Sequence, residues 1–133
     1  MSKVELTDII LAAMHFRDGS VEHVRKYTTC RAVDSLGRRV CVEYGDVDFA
    51  VGLLAAEGLI TREWGSTVRQ VEVLRLTDRG RQAARAAARR LGRRGRAVAR
   101  YAAMESEISK IIELLERNGV VEKRGDYYKT TLF

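Results

Sequence analysis

The chain has no proline, two cysteines (Cys30 and Cys41), one tryptophan, one asparagine (Asn118) and two glutamines (Gln70 and Gln82). Two cysteines without a CxxC pair, joined only by His15 and His23, fall short of zinc-site spacing, so no metal is expected. No apolar run approaches the roughly 18 residues of a membrane span. The opening MSKVELTDII lacks the basic start and long apolar run of a secretory signal, so a cytoplasmic protein without membrane association is expected. No phosphate-cradling loop is found, since Gly92-Arg93-Arg94-Gly95 lacks the Lys-Ser/Thr that a P-loop requires. No Ser-His-Asp arrangement or paired carboxylates stand out. The 133 residues allow one compact domain or two very small ones. The chain reads as a non-enzyme that needs no cofactor. The scarcity of amides among abundant ions suits a thermophilic source, and a GC-rich genome would leave the same mark.

What the chain has in quantity is arginine. Its basic residues are 19 Arg and 5 Lys, against 18 acids, for a net charge of +6. Between Arg75 and Arg100 lie Arg75, Arg79, Arg81, Arg85, Arg89, Arg90, Arg93, Arg94, Arg96 and Arg100, interrupted by one acid, Asp78. Those ten arginines and one aspartate carry +9; the other 14 basic and 17 acidic residues carry −3. Guanidinium groups crowded in this way repel one another in the folded chain, and an acidic partner would relieve them. A phosphate backbone is the first candidate, and a solvated helix face is the alternative.

Apolar periodicity predicts a helix over 4–16. Asp18-Gly19-Ser20 breaks it, and Ser20 can cap a second helix over 20–28 carrying an exposed His23. Two readings compete for the segment that follows: a hairpin turning at Asp34–Gly37, or a longer second helix stopped by Gly37. The hairpin would set Cys30 opposite Cys41, where a cross-strand disulfide or two buried thiols would both fit. Asp46 or Asp48 caps a helix ended by Gly58, and a hairpin runs through 59–64 and 68–76. Thr77-Asp78 opens an Ala/Arg-rich helix to about Leu91. Gly92 to Gly95 makes a flexible break, a helix runs over 96–117, and a last hairpin turns at 124–126. The predicted class is α+β, mainly α with small β-hairpins.

The run Leu53-Leu54-Ala55-Ala56-Glu57-Gly58-Leu59-Ile60, a hairpin, and then Leu74-Arg75-Leu76-Thr77-Asp78-Arg79-Gly80-Arg81 resembles the recognition-helix end, wing and LT-x-x-G helix start of MarR- and PadR-type winged helix-turn-helix regulators. The resemblance covers roughly residues 4–90. It implies a winged domain over 1–77 that binds duplex DNA as a dimer, with Arg62, Arg69 and Arg75 as wing contacts. The third helix departs from that pattern. It contains no Arg, Lys, Asn or Gln, the side chains that chiefly read base edges. The helix over 20–28, with His23, Arg25 and Lys26, is the other candidate for the groove.

Residues 53–62 align without gaps on 114–123, so 78–133 reads either as a second, shortened winged unit or as a dimerisation region. Met104, Ile108, Ile111 and Leu115 fall at the 4-3-4 spacing of a coiled-coil seam. Arg81, Arg85 and Arg89 lie on one helix face with Arg93 and Arg94 beyond them. With Arg79, Arg90 and Arg96 they are the expected phosphate contacts. The expected function is nucleic-acid binding, with DNA favoured over RNA, by a homodimeric transcriptional regulator. Structured-RNA binding and a protein-interaction module are the alternatives.

Overall fold

A computed structural model of the chain describes residues 6–24, 41–42, 44–66, 71–106, 108, 111, 114, 121–124 and 127–130. The elements are α1 (Leu6–Phe16), β1 (Ser20–Val24), β2 (Cys41–Val42), α2 (Tyr44–Ala56), β3 (Ile60–Ser66), β4 (Val71–Leu76), α3 (Asp78–Arg90), α4 (Arg93–Glu105), β5 (Val121–Arg124) and β6 (Tyr127–Thr130). The class is α+β, as the hydrophobic periods predict.

Helix α1 is the central strut. Ile9 to Met14 are six consecutive buried residues, so the helix is covered on every side rather than along one stripe. Helices α3 and α4 pack against it. Their buried positions are almost all Ala or Gly: Gly80, Ala84, Ala87 and Ala88 in α3, and Gly95, Val98, Ala99, Ala102 and Ala103 in α4. Small side chains there let two arginine-rich helices approach an apolar one while their long side chains stay outside. Arg90 meets Asp8 near the start of α1 at 2.7 Å, and Arg81 reaches Gly19 beyond its end, so α3 runs antiparallel to α1. One core cluster therefore holds residues from both sides of the 77/78 boundary.

The described residues form two three-stranded antiparallel sheets, in the orders β1-β4-β3 and β2-β6-β5. Each is a hairpin whose second strand also pairs with a strand from earlier in the chain. The aligned segments 53–62 and 114–123 enter their hairpins at equivalent positions, Ile60 and Val121. At the one aligned leucine pair described in both, Leu53 is exposed and its counterpart Leu114 is buried.

Residues 20–24 form a strand, not the start of a helix. Asp18 (φ 61°) and Gly19 (φ 94°) adopt successive left-handed conformations that end α1 and turn the chain sharply. The Gly19 carbonyl accepts from Leu76 N–H at 2.8 Å, and β1 then pairs with β4 from Ser20↔Arg75 to Val24↔Val71. Val21 and His23 turn inward with period 2, which long-range pairing satisfies and a helix would not.

The helix predicted over 96–117 is also corrected. Helix α4 begins at Arg93, with Gly92 as its cap, and ends at Ser106 in the left-handed region (φ 57°). Gly95 lies inside the helix. It is buried there, with Leu91 Cδ2 3.0 Å from where a Cβ would stand, so the segment from Gly92 to Gly95 is a cap and first helical turn rather than a flexible break. The chain leaves α4 because the open edge of β1 takes it up: Ser106 O accepts from Glu22 N–H at 2.8 Å and Ile108 N–H donates to Glu22 O at 2.9 Å. An edge strand is thereby covered.

That break divides the expected dimer seam. Met104 is 76% exposed on α4, whereas Ile108 and Ile111 lie in the chain's own core with Leu114. Leu115 lies outside the described residues. Cys41 stands opposite Lys129 in β2–β6. Cys30, and with it the expected Cys30–Cys41 pairing, lies outside the described residues.

Candidate nucleic-acid interface

The hairpin and the arginine helix meet at a compact junction. Gly58 takes the left-handed conformation (φ 74°) that turns the end of α2 into β3. Thr77 caps α3, its hydroxyl accepting from Gly80 N–H at 3.0 Å and donating to Gly58 O at 2.7 Å. Thr77 N–H also donates to Leu59 O at 3.0 Å. Gly80 lies so close to the Leu59 carbonyl that a Cβ would overlap it. The LT-x-x-G pattern therefore has a local cause: Thr supplies the cap and Gly permits the contact.

From this junction α3 presents Arg81, Arg85 and Arg89 at four-residue spacing, all exposed. None of the three has a carboxylate partner among the described residues. The same holds for Arg93 at the first turn of α4. Arg94 stands beside it and is exposed.

Several neighbouring arginines have internal work. Arg79 Nη1 donates to Glu57 O at 3.2 Å, at the end of α2. Arg96 Nη2 donates to Ala88 O and Leu91 O, satisfying carbonyls at the end of α3. Arg100 stacks over the Phe16 ring, 4.5 Å from its centroid. Arg75 lies 3.7 Å from Glu63 on the outer sheet surface, an exposed pair of small energetic weight. The hydrogen bond to Asp8 raises the pKa of Arg90 further above its ordinary value.

Arg62 is the clear correction among the expected wing contacts. Its Nε and Nη2 form a fork on Glu72, at 3.0 and 2.7 Å, and Nη2 also reaches Asp48 at 3.4 Å. Glu72 is almost fully buried, and its bond to Arg62 raises the arginine's pKa. Alternation explains the position. Arg62 follows Ile60 on the inward face of β3, so it faces α2 rather than solvent. Arg69 lies outside the described residues.

His23 is the second correction. It is 2% exposed, it lies on β1, and its Nε2 stands 3.4 Å from Asp48 Oδ1 and 4.0 Å from Glu72 Oε1. It cannot enter a groove as part of an exposed helix. Arg25 and Lys26 lie outside the described residues. Burial lowers the pKa of His23, opposed by its hydrogen bond to Asp48 and by both carboxylates. His23, Asp48 and Glu72 offer ligand atoms within 4.8 Å of one another. The guanidinium of Arg62 already bridges the two carboxylates, so the cluster carries its own counter-charge where a metal ion would compete with it. This four-residue cluster went unread in the sequence. Its signal is a polar residue at the inward position after an apolar one in each strand: Val21 then His23, Ile60 then Arg62, and Leu74 then Glu72 read backwards.

Helix α2, which the resemblance implies is the recognition helix, exposes Phe49 at 68% and Leu53 at 41%, one turn apart. Trp64 on β3 is also exposed. Comparison with protein-family models, with curated proteins and with solved structures found no match to this chain.

Proposed function

We propose that the protein binds nucleic acid, duplex DNA in preference to RNA, by gripping backbone phosphates with the exposed arginine face of α3. One observation carries this reading: Arg81, Arg85 and Arg89 share one face and have no carboxylate partner among the described residues, although acids elsewhere engage Arg62, Arg75 and Arg90. Arg93 at the first turn of α4 belongs to the same basic segment. The element order α1, β1, β2, α2, β3, β4, with β1, β4 and β3 side by side in one sheet, is compatible with a winged-helix arrangement and supports the DNA reading. Phosphate contacts position a protein on its target without reading sequence. With no Arg, Lys, Asn or Gln between Tyr44 and Ala56, α2 has little with which to read base edges. Weak sequence preference follows, and a role in transcription would rest on a partner or on DNA shape.

The test is equilibrium binding to random duplex DNA and to structured RNA across a salt series. Each phosphate contact contributes about 0.9 to the slope of log K against log salt. Changing Arg81, Arg85 and Arg89 together to Ala should reduce that slope by about 2.7 and weaken all duplex sequences alike. An unchanged slope would reject the arginine face as the contact surface. Tighter binding to the RNA would move the reading to ribonucleoprotein. Phe49 and Leu53 favour a second reading, a protein-interaction module, which gains if neither nucleic acid binds at about 50 mM salt.

A further inference from the structure

The ionic cluster beneath α2 holds a group that the arginine face does not use. His23 is the only titratable side chain turned inward from β1, because Glu22 alternates to the outer surface. Three charged groups face it: Asp48 from α2, Glu72 from β4 and Arg62 from β3. Nε2 points at the two carboxylates, so in the neutral ring the proton sits on Nε2 and is donated to Asp48. Nδ1 lies on the other side of the ring, buried and without a hydrogen-bond partner among the described residues.

We propose that His23 is an acid-sensitive latch between α2 and the β1-β4-β3 sheet, closed when the imidazole is neutral and loosened when it takes a second proton. The added proton must go on Nδ1, where no acceptor stands among the described residues, and a buried donor left unpaired is costly. The carboxylates offer limited compensation. Glu72 is committed to the two-bonded fork of Arg62, and Asp48 is shared between Arg62 and His23. Burial therefore outweighs the two negative neighbours, in keeping with the lowered pKa of this ring. Release would remove one of the ties between Asp48 and the sheet, leaving that of Arg62, and so loosen the presentation of Phe49, which adjoins Asp48 in the chain. The latch stands apart from the nucleic-acid reading, since none of its four side chains lies on α3.

The full chain reports on the latch unaided. Trp64, its one tryptophan, stands directly opposite Glu72, which stands opposite His23, all on one sheet face. Trp64 emission and the His23 Cε1 proton resonance should be followed together from about pH 8 to about pH 5. The expected result is a single reversible step, common to both signals and centred below the ordinary imidazole value. His23→Gln keeps an N–H for Asp48 and cannot titrate, so the Trp64 step should be lost. Retention of that step in His23→Gln would overturn the proposal. So would a His23 resonance in the unsubstituted chain that titrates at the ordinary value, or one that titrates while Trp64 emission stays constant. The last two outcomes need no variant, so they decide the question even if His23→Gln fails to fold.

Discussion

Arg62 and Arg85 are both arginines expected from sequence to grip phosphate, and the fold places them differently: Arg62 is turned inward onto Glu72 and Arg85 is exposed. Arg62→Ala would leave Glu72 buried, charged and stripped of two hydrogen bonds. Breaking a buried pair from one side costs roughly 3–5 kcal/mol. Asp48 is partly exposed and retains access to solvent, so the lower end, about 3 kcal/mol, applies here. With 133 residues and an unfolding entropy of about 2.1 cal/mol/K per residue, each kcal/mol moves the midpoint by about 3.6 °C. Thermal unfolding of Arg62→Ala should therefore fall by about 11 °C. Its duplex affinity, measured where both proteins are folded, should stay within about twofold, less than 0.5 kcal/mol. Arg85→Ala should do the reverse. Stability should change by less than about 0.5 kcal/mol, because the side chain is exposed and has like charges around it. Affinity should fall, and the salt slope should drop by about 0.9. If Arg62→Ala weakened binding and left the unfolding midpoint unchanged, the inward placement of this side chain, and the separation of the two classes of arginine, would be refuted.

Three further expectations concern the scaffold. Gly80→Ala should destabilise the chain by more than the usual 1–3 kcal/mol of core overpacking, because its Cβ meets backbone rather than a flexible side chain; urea unfolding checks this. Ile108→Asp should unfold the chain rather than produce a folded monomer, since Ile108 is buried in its own core; circular dichroism with sedimentation distinguishes the two. For pH, the folded pKa of His23 is lowered, so between that value and about 6.5 the unfolded chain binds more protons. Stability contributed by the neutral ring is thus full above about pH 6.5 and declines as pH falls toward the folded value, a trend that midpoints measured across pH should show and His23→Gln should lessen.

How much was legible in the sequence depended on whether the cause was local. The helix boundary at Thr77, the left-handed turn at Gly58 and the hairpins entered at Ile60 and Val121 all follow from caps, glycines and alternation within a few residues, and the structure places them there. The failures share the opposite property. Ser20 is a good helix cap, yet β1 forms because β4, some fifty residues later, supplies its partner. The periodicity of Met104, Ile108 and Ile111 is real, yet Ser106 interrupts the helix in order to reach Glu22. No window of sequence contains both sides of either contact.

The same distinction governs the candidate site. A count of charge locates the arginine segment but cannot say which guanidiniums are already engaged. Arg90 is settled by Asp8, 82 positions away, and Arg62 by Glu72 across a hairpin. Arg79 and Arg96 are engaged by helix-end carbonyls, which carry no formal charge and so leave no trace in a charge count. Arg75 meets Glu63 and Arg100 lies over the Phe16 ring, so within this segment Arg81, Arg85 and Arg89 on α3, with Arg93 just beyond, are the exposed cations with no acid, carbonyl or ring against them among the described residues. Hydrogen bonds to carbonyls leave Arg79 and Arg96 charged, so the segment stays basic as a whole, and what the fold narrows is the set of unengaged guanidiniums, three of which share one face of α3. A partner carrying closely spaced phosphates matches that face better than a single acidic side chain would. The salt slope of the triple alanine variant, rather than affinity at one salt concentration, is the measurement that separates the two kinds of partner.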